Sequence, residues 1–141
     1  MKAEKIIEEI TEHIQQVAFT GRHIAIGNDI VHLPTFIPTC TEEFIRRVYT
    51  ENELQYCSKF MDPFLRYAST WAAKEAVYKA IKQTDDTTKL WWKDIEILRP
   101  KPAGKPTVKI KKIKNPVEFS LSISHEADYF WAVAVCLYEK K

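Results

Sequence analysis

The sequence predicts an α+β domain in which an antiparallel sheet packs against a long helix. Helical hydrophobic periodicity dominates the first half of the chain, whereas short β-prone segments separated by turn residues fill most of the second half. Helices and strands that are segregated along a chain in this way are typical of an antiparallel sheet with helices on one face. The 141 residues fit one domain, and 45% hydrophobic with 28% charged residues is globular composition.

The first predicted element is an amphipathic helix from Lys2 to Val17. Its isoleucines recur at helical spacing, and its acids lie early, at the positive end of the helix dipole. Gly21 is expected to end this helix. We assign residues 1–21 to an N-terminal helical extension and residues 23–141 to the main domain.

Residues 23–33 predict a strand, because β-branched residues dominate them. Gly27 and Asn28 are expected to interrupt this strand. Beyond it, Pro34 and Pro38 are expected to enclose a loop, since proline fits poorly in the ladder of a sheet or the interior of a helix.

Two threonines predict two successive helices rather than one. Thr41 is the predicted N-cap of the first helix, which has acids in its first turn. Thr50 and Glu53 form a capping-box pattern, and this pattern predicts the start of the second helix.

The longest predicted helix runs from Phe64 to Lys82, after the break at Asp62-Pro63, and a mostly polar loop over 83–90 follows it. Its interior is rich in alanine, a strong helix former. The remaining chain predicts strands, and the glycine and prolines of residues 99–106 predict a hairpin turn between the first two. These strands are Asp94–Leu98, Thr107–Ile113, Val117–Ser124 and Tyr129–Tyr138.

Composition excludes several classes of protein. No apolar run approaches the ~20 residues that a membrane span needs, and the acids of the N-terminal segment exclude the apolar core of a signal peptide. We therefore expect a cytoplasmic protein without a membrane partner. Three cysteines without C-x-x-C spacing disfavour a disulfide framework or a zinc site. Cys136 is expected in the core, and Cys40 and Cys57 remain open as nucleophiles, although nothing near them favours that role.

A stripe of seven basic residues without an acid interrupts an otherwise nearly neutral chain, whose net charge is +2. The stripe indicates an acidic partner or a phosphate-bearing ligand, and a solvated surface is an equally good interpretation. A nucleic-acid-binding module is a further hypothesis, because Trp91 and Trp92 precede the lysines. No nucleic-acid motif is present, so no nucleic-acid partner is expected. The basic residues are Arg99, Lys101, Lys105, Lys109, Lys111, Lys112 and Lys114.

Four residues could carry chemistry, and each has an ordinary structural alternative. Glu75 and Lys79 are four apart and share one helix face, which by spacing alone indicates a surface ion pair worth about 0.2–0.5 kcal/mol. Asp29 lies in an apolar strand, where a carboxylate is costly unless it is paired or metal-bound, although an Asp beside a glycine often caps a turn. His125 ends an alternating strand, where a hydrogen-bonded structural histidine is more common than a catalyst.

Six short motifs follow one another along the chain. They are G-N-D-I-V at 27–31, F-I-R-R-V-Y-T-E-N-E-L at 44–54, W-A-A-K-E-A-V-Y-K-A at 71–80, D-I-E-I at 94–97, G-K-P at 104–106 and S-I-S-H at 122–125. In this order they closely resemble the holo-[acyl-carrier-protein] synthases, a family of 4′-phosphopantetheinyl transferases. The resemblance covers about residues 23–141, so only the N-terminal helix lies outside it.

The resemblance implies a fold, a reaction and partners. The fold is that of the 4′-phosphopantetheinyl transferases, in which one such chain corresponds to half of the larger two-lobed enzymes. The reaction is magnesium-dependent transfer of 4′-phosphopantetheine from coenzyme A to a serine of an apo acyl carrier protein. It also yields adenosine 3′,5′-bisphosphate. Members typically form homotrimers with sites between subunits, so a homotrimer is expected here.

The reaction centre that the resemblance implies consists of three residues. Asp29 and Glu75 would be the magnesium ligands as well as catalytic residues, with the coenzyme A pyrophosphate and waters completing the shell. Lys79 would lie near the scissile phosphate, where it neutralises charge or protonates the leaving group. Phosphoryl transfer needs positioning and compensation of developing negative charge, and one metal with one lysine can supply both.

Four further residues are implied contacts to coenzyme A. His125 and Ser124 would bind it near its 3′-phosphate. Lys105 lies in a turn that the family also uses near the nucleotide. Lys74 is implied either in phosphate binding or in the fold. A family member that binds coenzyme A or a carrier protein without transfer is the alternative function, and the retained reaction centre argues against it.

The chain departs from the family pattern where arginines are usual. Thr35, Glu43 and Thr70 stand at such positions, and His32 replaces a common Glu. Arg66 lies one helical turn before Thr70, so it can reach the same space. These departures indicate either a carrier partner of different charge or a weakened activity.

Overall fold

A three-stranded antiparallel sheet and the long helix that crosses it form the centre of the protein. The computed structural model describes residues 2–19, 22–101 and 104–139, with the side chains of residues 13–19 excepted. The helices are α1 Lys2–Phe19, α2 Leu33–Phe36, α3 Glu42–Val48, α4 Glu51–Ser58 and α5 Pro63–Thr84, with 3-10 turns at Ile37–Thr39 and Trp92–Asp94. The strands are β1 Arg22–His32, β2 Ile95–Leu98, β3 Thr107–Ile110, β4 Val117–Glu126 and β5 Tyr129–Glu139.

The strands form two antiparallel sheets. The larger sheet has the order β1-β5-β4, and β2 pairs with β3 in a separate hairpin. Helix α5 packs on one face of the larger sheet, mainly against β1 and β5. The predicted α+β class, with an antiparallel sheet against a long helix, is confirmed. The hairpin predicted over residues 99–106 is also present, because Leu98 pairs with Thr107.

The predicted helix starts lie where the threonine caps place them. The Thr41 side chain accepts a hydrogen bond from the Phe44 amide at 3.2 Å, which satisfies a free donor in the first turn of α3. At the start of α4, the Glu53 carboxylate accepts from the Thr50 amide at 2.9 Å, and the Thr50 hydroxyl accepts from the Glu53 amide at 3.3 Å. This is a complete capping box, so the prediction of two helices is confirmed.

Two predictions about the region between residues 22 and 40 are wrong. Strand β1 is not interrupted at Gly27 and Asn28, because Gly27 continues the ladder opposite Ala134. Pro34 and Pro38 do not enclose an open loop. Each stands in the first turn of a short helix, where a missing amide hydrogen costs nothing. The predicted stop at Gly21 lies outside the described residues.

Helix α5 approaches the sheet closely because the contacting residues of both the helix and the strand are small. Five of its alanines are fully buried, and Gly27 of β1 lies against the backbone of two of them, Ala76 and Ala80. A Cβ atom added to Gly27 would lie 1.9 Å from the Ala76 carbonyl oxygen and 2.7 Å from the Ala80 amide nitrogen. No other residue fits at this position without moving the helix. The alanines are Ala68, Ala72, Ala73, Ala76 and Ala80.

The opposite face of the larger sheet carries exposed apolar side chains. We call this surface the outer sheet face. Its members on β1 and β5 are 48–61% exposed, whereas a single exposed apolar residue is ordinary on any protein. These members are Ile24, Ile26, Ile30, Tyr129 and Trp131. Among the described residues, no helix is both long and apolar enough to cross a membrane.

Replacing Gly27 by alanine is expected to lower the free energy of unfolding by about 3 kcal/mol, because the new methyl group overpacks a backbone contact that cannot yield. Urea denaturation measures this loss. Gly104→Ala is the matched control, since its nearest neighbour would be the Lys101 Cβ at 3.2 Å, and a change of at most about 1 kcal/mol is expected there. Equal losses in the two variants would contradict the close packing of α5 on β1.

Candidate active site

Asp29 and Lys79 meet where α5 crosses β1. The Lys79 ammonium donates to Asp29 Oδ1 at 3.0 Å and to the Asn28 carbonyl oxygen at 3.1 Å. The Asp29 side chain is 12% exposed and that of Lys79 is 52% exposed, so this ion pair lies at the edge of the core and opens to solvent. Gly27 explains the meeting, since it brings the turn of α5 that carries Lys79 onto β1, two residues before Asp29.

Glu75 completes the group from the preceding turn of α5. It is half-buried. The pKa of the Glu75 carboxyl is raised to about 8, chiefly by burial and also by a hydrogen bond to Asp29 and by the charge of Asp29, while the charge of Lys79 opposes the shift. Two neighbouring carboxyl groups repel each other when both are ionised, so both lose their protons readily only when a cation lies between them. The structure therefore brings Asp29, Glu75 and Lys79 together, and we call them the carboxylate site.

The carboxylate site fits a magnesium ion in the chemistry of its donors. Magnesium prefers oxygen ligands and is usually held by one or two carboxylates together with waters and substrate phosphates. Among the described residues, no group of three or more His, Cys, Asp or Glu side chains could hold a metal by itself. Asp29 and Glu75 could supply two ligands, so a metal held here would need waters or a substrate phosphate to complete its shell.

A second site lies across the sheet, in an open cleft of about 370 Å³. His125 and Ser124 of β4 line it, together with Arg66 of α5 and Arg99 after β2. The register places His125 opposite Phe130 and Asp29 opposite Ala132 on the central strand β5. The two backbones are therefore separated by two strand spacings, on the order of 10 Å.

The two arginines of this cleft are fixed in place by aromatic rings. The Arg66 guanidinium lies 4.0 Å from the centre of the Phe60 ring, and that of Arg99 lies 5.0 Å from the Tyr56 ring. Arg99 Nη2 donates to the Ser69 hydroxyl at 3.2 Å, whereas its buried Nη1 has no partner among the described residues. Burial also lowers the pKa of Arg99. A buried guanidinium nitrogen without a partner is costly, and an anion in the cleft would satisfy it.

Sequence reasoning found this cleft only in part. His125 and Ser124 were predicted, and the His125 ring stacks on Phe130 with centroids 4.5 Å apart. The sequence relates Arg66 only to the space of the arginine that Thr70 replaces, and Arg99 only to the basic stripe. The signal that could have found it is its place directly after β2, at the start of the G-K-P hairpin. Lys105 is exposed in that hairpin, between Gly104 and Pro106, and both of these residues line the cleft.

Lys74 lies in the core and is paired there. Its side chain is wholly buried, and its ammonium donates to Glu53 Oε1 and to the Ile95 carbonyl oxygen, both at 2.6 Å. Glu53 Oε2 accepts from the Ile97 amide at 2.9 Å. Burial lowers the pKa of Lys74, and the Glu53 carboxylate opposes that shift. Of the two roles left open for Lys74, this geometry supports the one in the fold, and a contact with coenzyme A stays an untested prediction.

The two candidate cysteines and the threonines that replace family arginines supply no reactive group to these sites. Burial raises the pKa of Cys40 to about 12 and that of Cys57 to about 11, so neither forms the thiolate that a nucleophile requires near neutral pH. Thr70, at a position where the family commonly has arginine, is buried. Thr35 is exposed, and its hydroxyl lies 2.8 Å from His32 Nδ1.

Two acidic side chains and a lysine beside an anion-accepting cleft are typical of an enzyme that acts on phosphate groups. Comparison with known proteins agrees. Residues 25–135 match the model of the 4′-phosphopantetheinyl transferase superfamily. A holo-[acyl-carrier-protein] synthase of Aquifex aeolicus is 39% identical over 127 residues, covering 82% of this chain and 98% of the relative. One of Protochlamydia amoebophila is 38% identical over 119 residues, covering 79% and 96%.

Solved structures and a longer relative complete the comparison. A structure described as the Chronobacterium ammoniagenes ACPS–CoA complex has a TM-score of 0.72 and 26% identity, and the match covers 84% of this chain and 99% of that one. The chain also matches fatty acid synthase alpha subunit hexA of Dothistroma septosporum at 35% identity, but it spans 7% of that relative. A second hexA sequence is spanned to 33%. The chain belongs to the 4′-phosphopantetheinyl transferase superfamily and, within it, to the holo-[acyl-carrier-protein] synthase family, as predicted.

Replacing Lys74 by methionine is expected to destabilise the fold by about 3–5 kcal/mol, because it leaves the Glu53 carboxylate buried without its partner. Adding Glu53→Gln to that variant should recover part of the loss, which a double-mutant cycle by urea denaturation measures. Lys82→Met on the same helix is the control and should change stability little. A Lys74→Met protein as stable as the parent, with weaker coenzyme A binding, would restore the ligand role.

Replacing Glu75 by glutamine is expected to change the pH dependence of stability in buffer without divalent cations. The folded chain keeps the Glu75 proton up to about pH 8, whereas the unfolded chain releases it near the ordinary value of 4.5. Unfolding therefore releases a proton between these pH values, and the parent loses stability as the pH rises through this window.

Glu75→Gln removes that loss. At pH 9 the variant should be more stable than the parent by on the order of 1 kcal/mol, a figure reduced for solvent screening of a half-buried group. At pH 4 the difference should vanish. Urea denaturation across this pH range measures both, and Glu43→Gln, at an exposed carboxyl of α3, should follow the parent between about pH 5 and 9. Parallel curves for Glu75→Gln and the parent would contradict the raised pKa.

Proposed function

We propose that the protein transfers 4′-phosphopantetheine from coenzyme A to a serine of an apo acyl carrier protein. The products are the holo carrier protein and adenosine 3′,5′-bisphosphate. The observation that carries this proposal is the meeting of Asp29, Glu75 and Lys79 in a chain whose relatives are holo-[acyl-carrier-protein] synthases. Coenzyme A complexes of similar structures support coenzyme A as the donor.

The carboxylate site would hold Mg²⁺ through Asp29 and Glu75. When bound, this ion neutralises charge on the phosphate oxygens and orients them. Glu75 must lose its proton to serve as a metal ligand. Because its pKa is raised to about 8, a proton and a metal ion would compete for this carboxyl at neutral pH. The two carboxylates also fix where the pyrophosphate of coenzyme A lies.

Lys79 acts at the same place through its charge. Half of its side chain is open to solvent, so its ammonium can turn from Asp29 toward an incoming phosphate without a backbone movement. There it would compensate the negative charge that develops on the leaving phosphate or donate a proton to it. The serine oxygen of the carrier forms the new bond to phosphorus and its proton passes to the solvent. The bond from phosphorus to the bridging oxygen of the departing nucleotide breaks, and that oxygen leaves with adenosine 3′,5′-bisphosphate.

The cleft would bind the 3′-phosphate end of coenzyme A. Arg66, Arg99 and His125 converge there, and Arg99 Nη1 is a buried donor without a partner among the described residues. Ser124 adds a hydroxyl at the rim, and Lys105 adds charge from the adjoining hairpin. A phosphate in this cleft would anchor the nucleotide and leave the pyrophosphate free to reach the carboxylate site.

We further propose that the protein is a homotrimer. The outer sheet face is an apolar surface that one copy of the chain leaves exposed, and association would remove it from water. In such an assembly, neighbouring copies can share one coenzyme A site, which suits a short chain whose clefts are open. The cytoplasmic location and the boundary between residues 1–21 and the main domain stay predictions.

Incubation with an apo acyl carrier protein, coenzyme A and Mg²⁺ should add one phosphopantetheine to the carrier, as read by intact mass. Glu75→Gln and Lys79→Met should each slow the transfer by roughly 10²–10³-fold, because each removes charge compensation at the reacting phosphate. Chelation of the metal should stop it.

Lys82→Met is the matched control, since it removes a lysine one turn away from Lys79 that instead binds the Asp86 carbonyl oxygen. Its rate should stay within about twofold of the parent. Coenzyme A binding without any adduct on the carrier would favour the non-catalytic alternative. A normal rate for Glu75→Gln would remove the site assignment.

The cleft is tested by comparing coenzyme A with dephospho-coenzyme A, which lacks the 3′-phosphate. The parent should bind the truncated donor about tenfold or more weakly, because a charge-assisted hydrogen bond is worth roughly 1.5–3 kcal/mol. Arg66→Met should weaken only coenzyme A binding and so reduce this preference, as measured by calorimetry. Arg47→Met, at an exposed arginine of α3, should keep the preference, and an unchanged preference in both variants would place the 3′-phosphate elsewhere.

A further inference from the structure

Helix α1 exposes an apolar stripe that nothing in the main domain covers. Every described side chain from residue 2 to residue 12 is exposed, including Ile6, Ile7 and Ile10 at 54–62%. The helix contacts β1 and lies outside residues 25–135, which match the family. An amphipathic helix with an exposed apolar face is typical of an interaction surface.

The stripe has the spacing of a coiled-coil seam. Its apolar positions are separated by steps of four, three, four and three residues, which repeat every seven and keep one face toward a partner helix. In heptad terms, one kind of central position holds Ile7 and Ile14, and the other holds Ala3, Ile10 and Val17. Ile7 and Ile10 thus put isoleucine at both central positions of one heptad, a pattern that favours three or more strands over two. These positions are Ala3, Ile7, Ile10, Ile14 and Val17.

We propose that α1 associates with α1 of two further copies of this chain as a parallel three-stranded coiled coil. The inference rests on the proposed homotrimer, and it extends the proposed interface beyond the sheet. Helix α1 leads into β1, and β1 carries Ile24, Ile26 and Ile30 of the outer sheet face. If three copies associate through that face, the symmetry axis that relates their β1 strands also relates their α1 helices.

The charges of α1 are compatible with this arrangement. Glu8, Glu9 and Glu12 lie at the heptad positions farthest from the seam, so these acids of three parallel helices would point away from one another. Of the positions that flank the seam, one holds Ile6 and the other holds Glu4 and Thr11, so Glu4 is the one acid beside the seam. The described helix has 18 residues, a length at which an isolated helix is marginal in water. Attachment to a trimeric domain raises the effective concentration of the three helices to about millimolar, which compensates for the short seam.

Cysteine cross-linking tests the parallel arrangement in the full chain. Ala3→Cys places a thiol at the seam near the helix start, where only parallel helices bring identical residues together. Mild oxidation should join two of the three chains covalently, as seen on a denaturing gel without reductant. Glu9→Cys, on the outward side, should stay at the background of the parent cysteines, of which Cys57 and Cys136 are buried. No cross-link above that background in Ala3→Cys overturns the proposal.

Sedimentation tests what the seam contributes. Ile7→Ser with Ile10→Ser should raise the protein concentration at which trimers dissociate by at least about tenfold, because two apolar side chains per chain lose their burial. Glu8→Ser with Glu9→Ser should leave it unchanged. The reverse pattern would overturn the coiled coil and indicate that the acids of α1 bind a basic surface instead.

These outcomes also separate this inference from the proposed function. A parent that is trimeric and active, with neither the cross-link nor an effect of the isoleucine variant, overturns the coiled coil alone. A parent that sediments as a monomer at every concentration overturns the trimer and the coiled coil together. Whether transfer occurs is then decided by the mass of the carrier protein, independently of assembly.

Discussion

The contact of α5 with β1 at Gly27 is the constraint on which the rest of the structure depends. There a helix backbone lies directly on a strand, with no side chain between them. This contact fixes the height of α5 above the sheet. It also fixes its rotation, because the alanines must face the strand. Glu75 and Lys79 flank the contact on the helix, and Asp29 follows it on the strand, so the carboxylate site is a consequence of packing as much as of the acidic residues.

Lys74 and Glu75 are adjacent in α5, but the helix geometry directs their side chains to different environments. Successive helix residues point about 100° apart, so Lys74 is directed into the core while Glu75 is directed to the site. In the core, Lys74 joins α4 and β2 through Glu53, and a buried pair of this kind is tolerated only because every charge has a partner. At the site, Glu75 has an acidic neighbour instead, and its proton takes the place of that partner.

The sequence was sufficient to predict the features that depend on local chemistry. The helix starts at Thr41 and Thr50, and the strand hairpin after Leu98, follow from caps and turns that act within a few residues. The proximity of Asp29 to Glu75 and Lys79 could be predicted only from the order of the family motifs. Residue spacing alone does not indicate which strand the helix crosses. The continuity of β1 through Gly27 was missed, since a glycine looks like a break until the helix that requires it is seen. Arg99 was missed because its burial depends on Tyr56, which is distant in the sequence.

The proton on Glu75 gives the carboxylate site a property that the individual residues do not have. With that carboxyl neutral at pH 7, the charges of Asp29 and Lys79 cancel, and the resting site carries no net charge. A polyanionic nucleotide therefore approaches a neutral surface rather than a pair of carboxylates. A divalent cation held by Asp29 and Glu75 would displace the Glu75 proton, so its binding would depend on pH. Acid would then favour the protonated, metal-free form of the site, and alkali the metal-bound form.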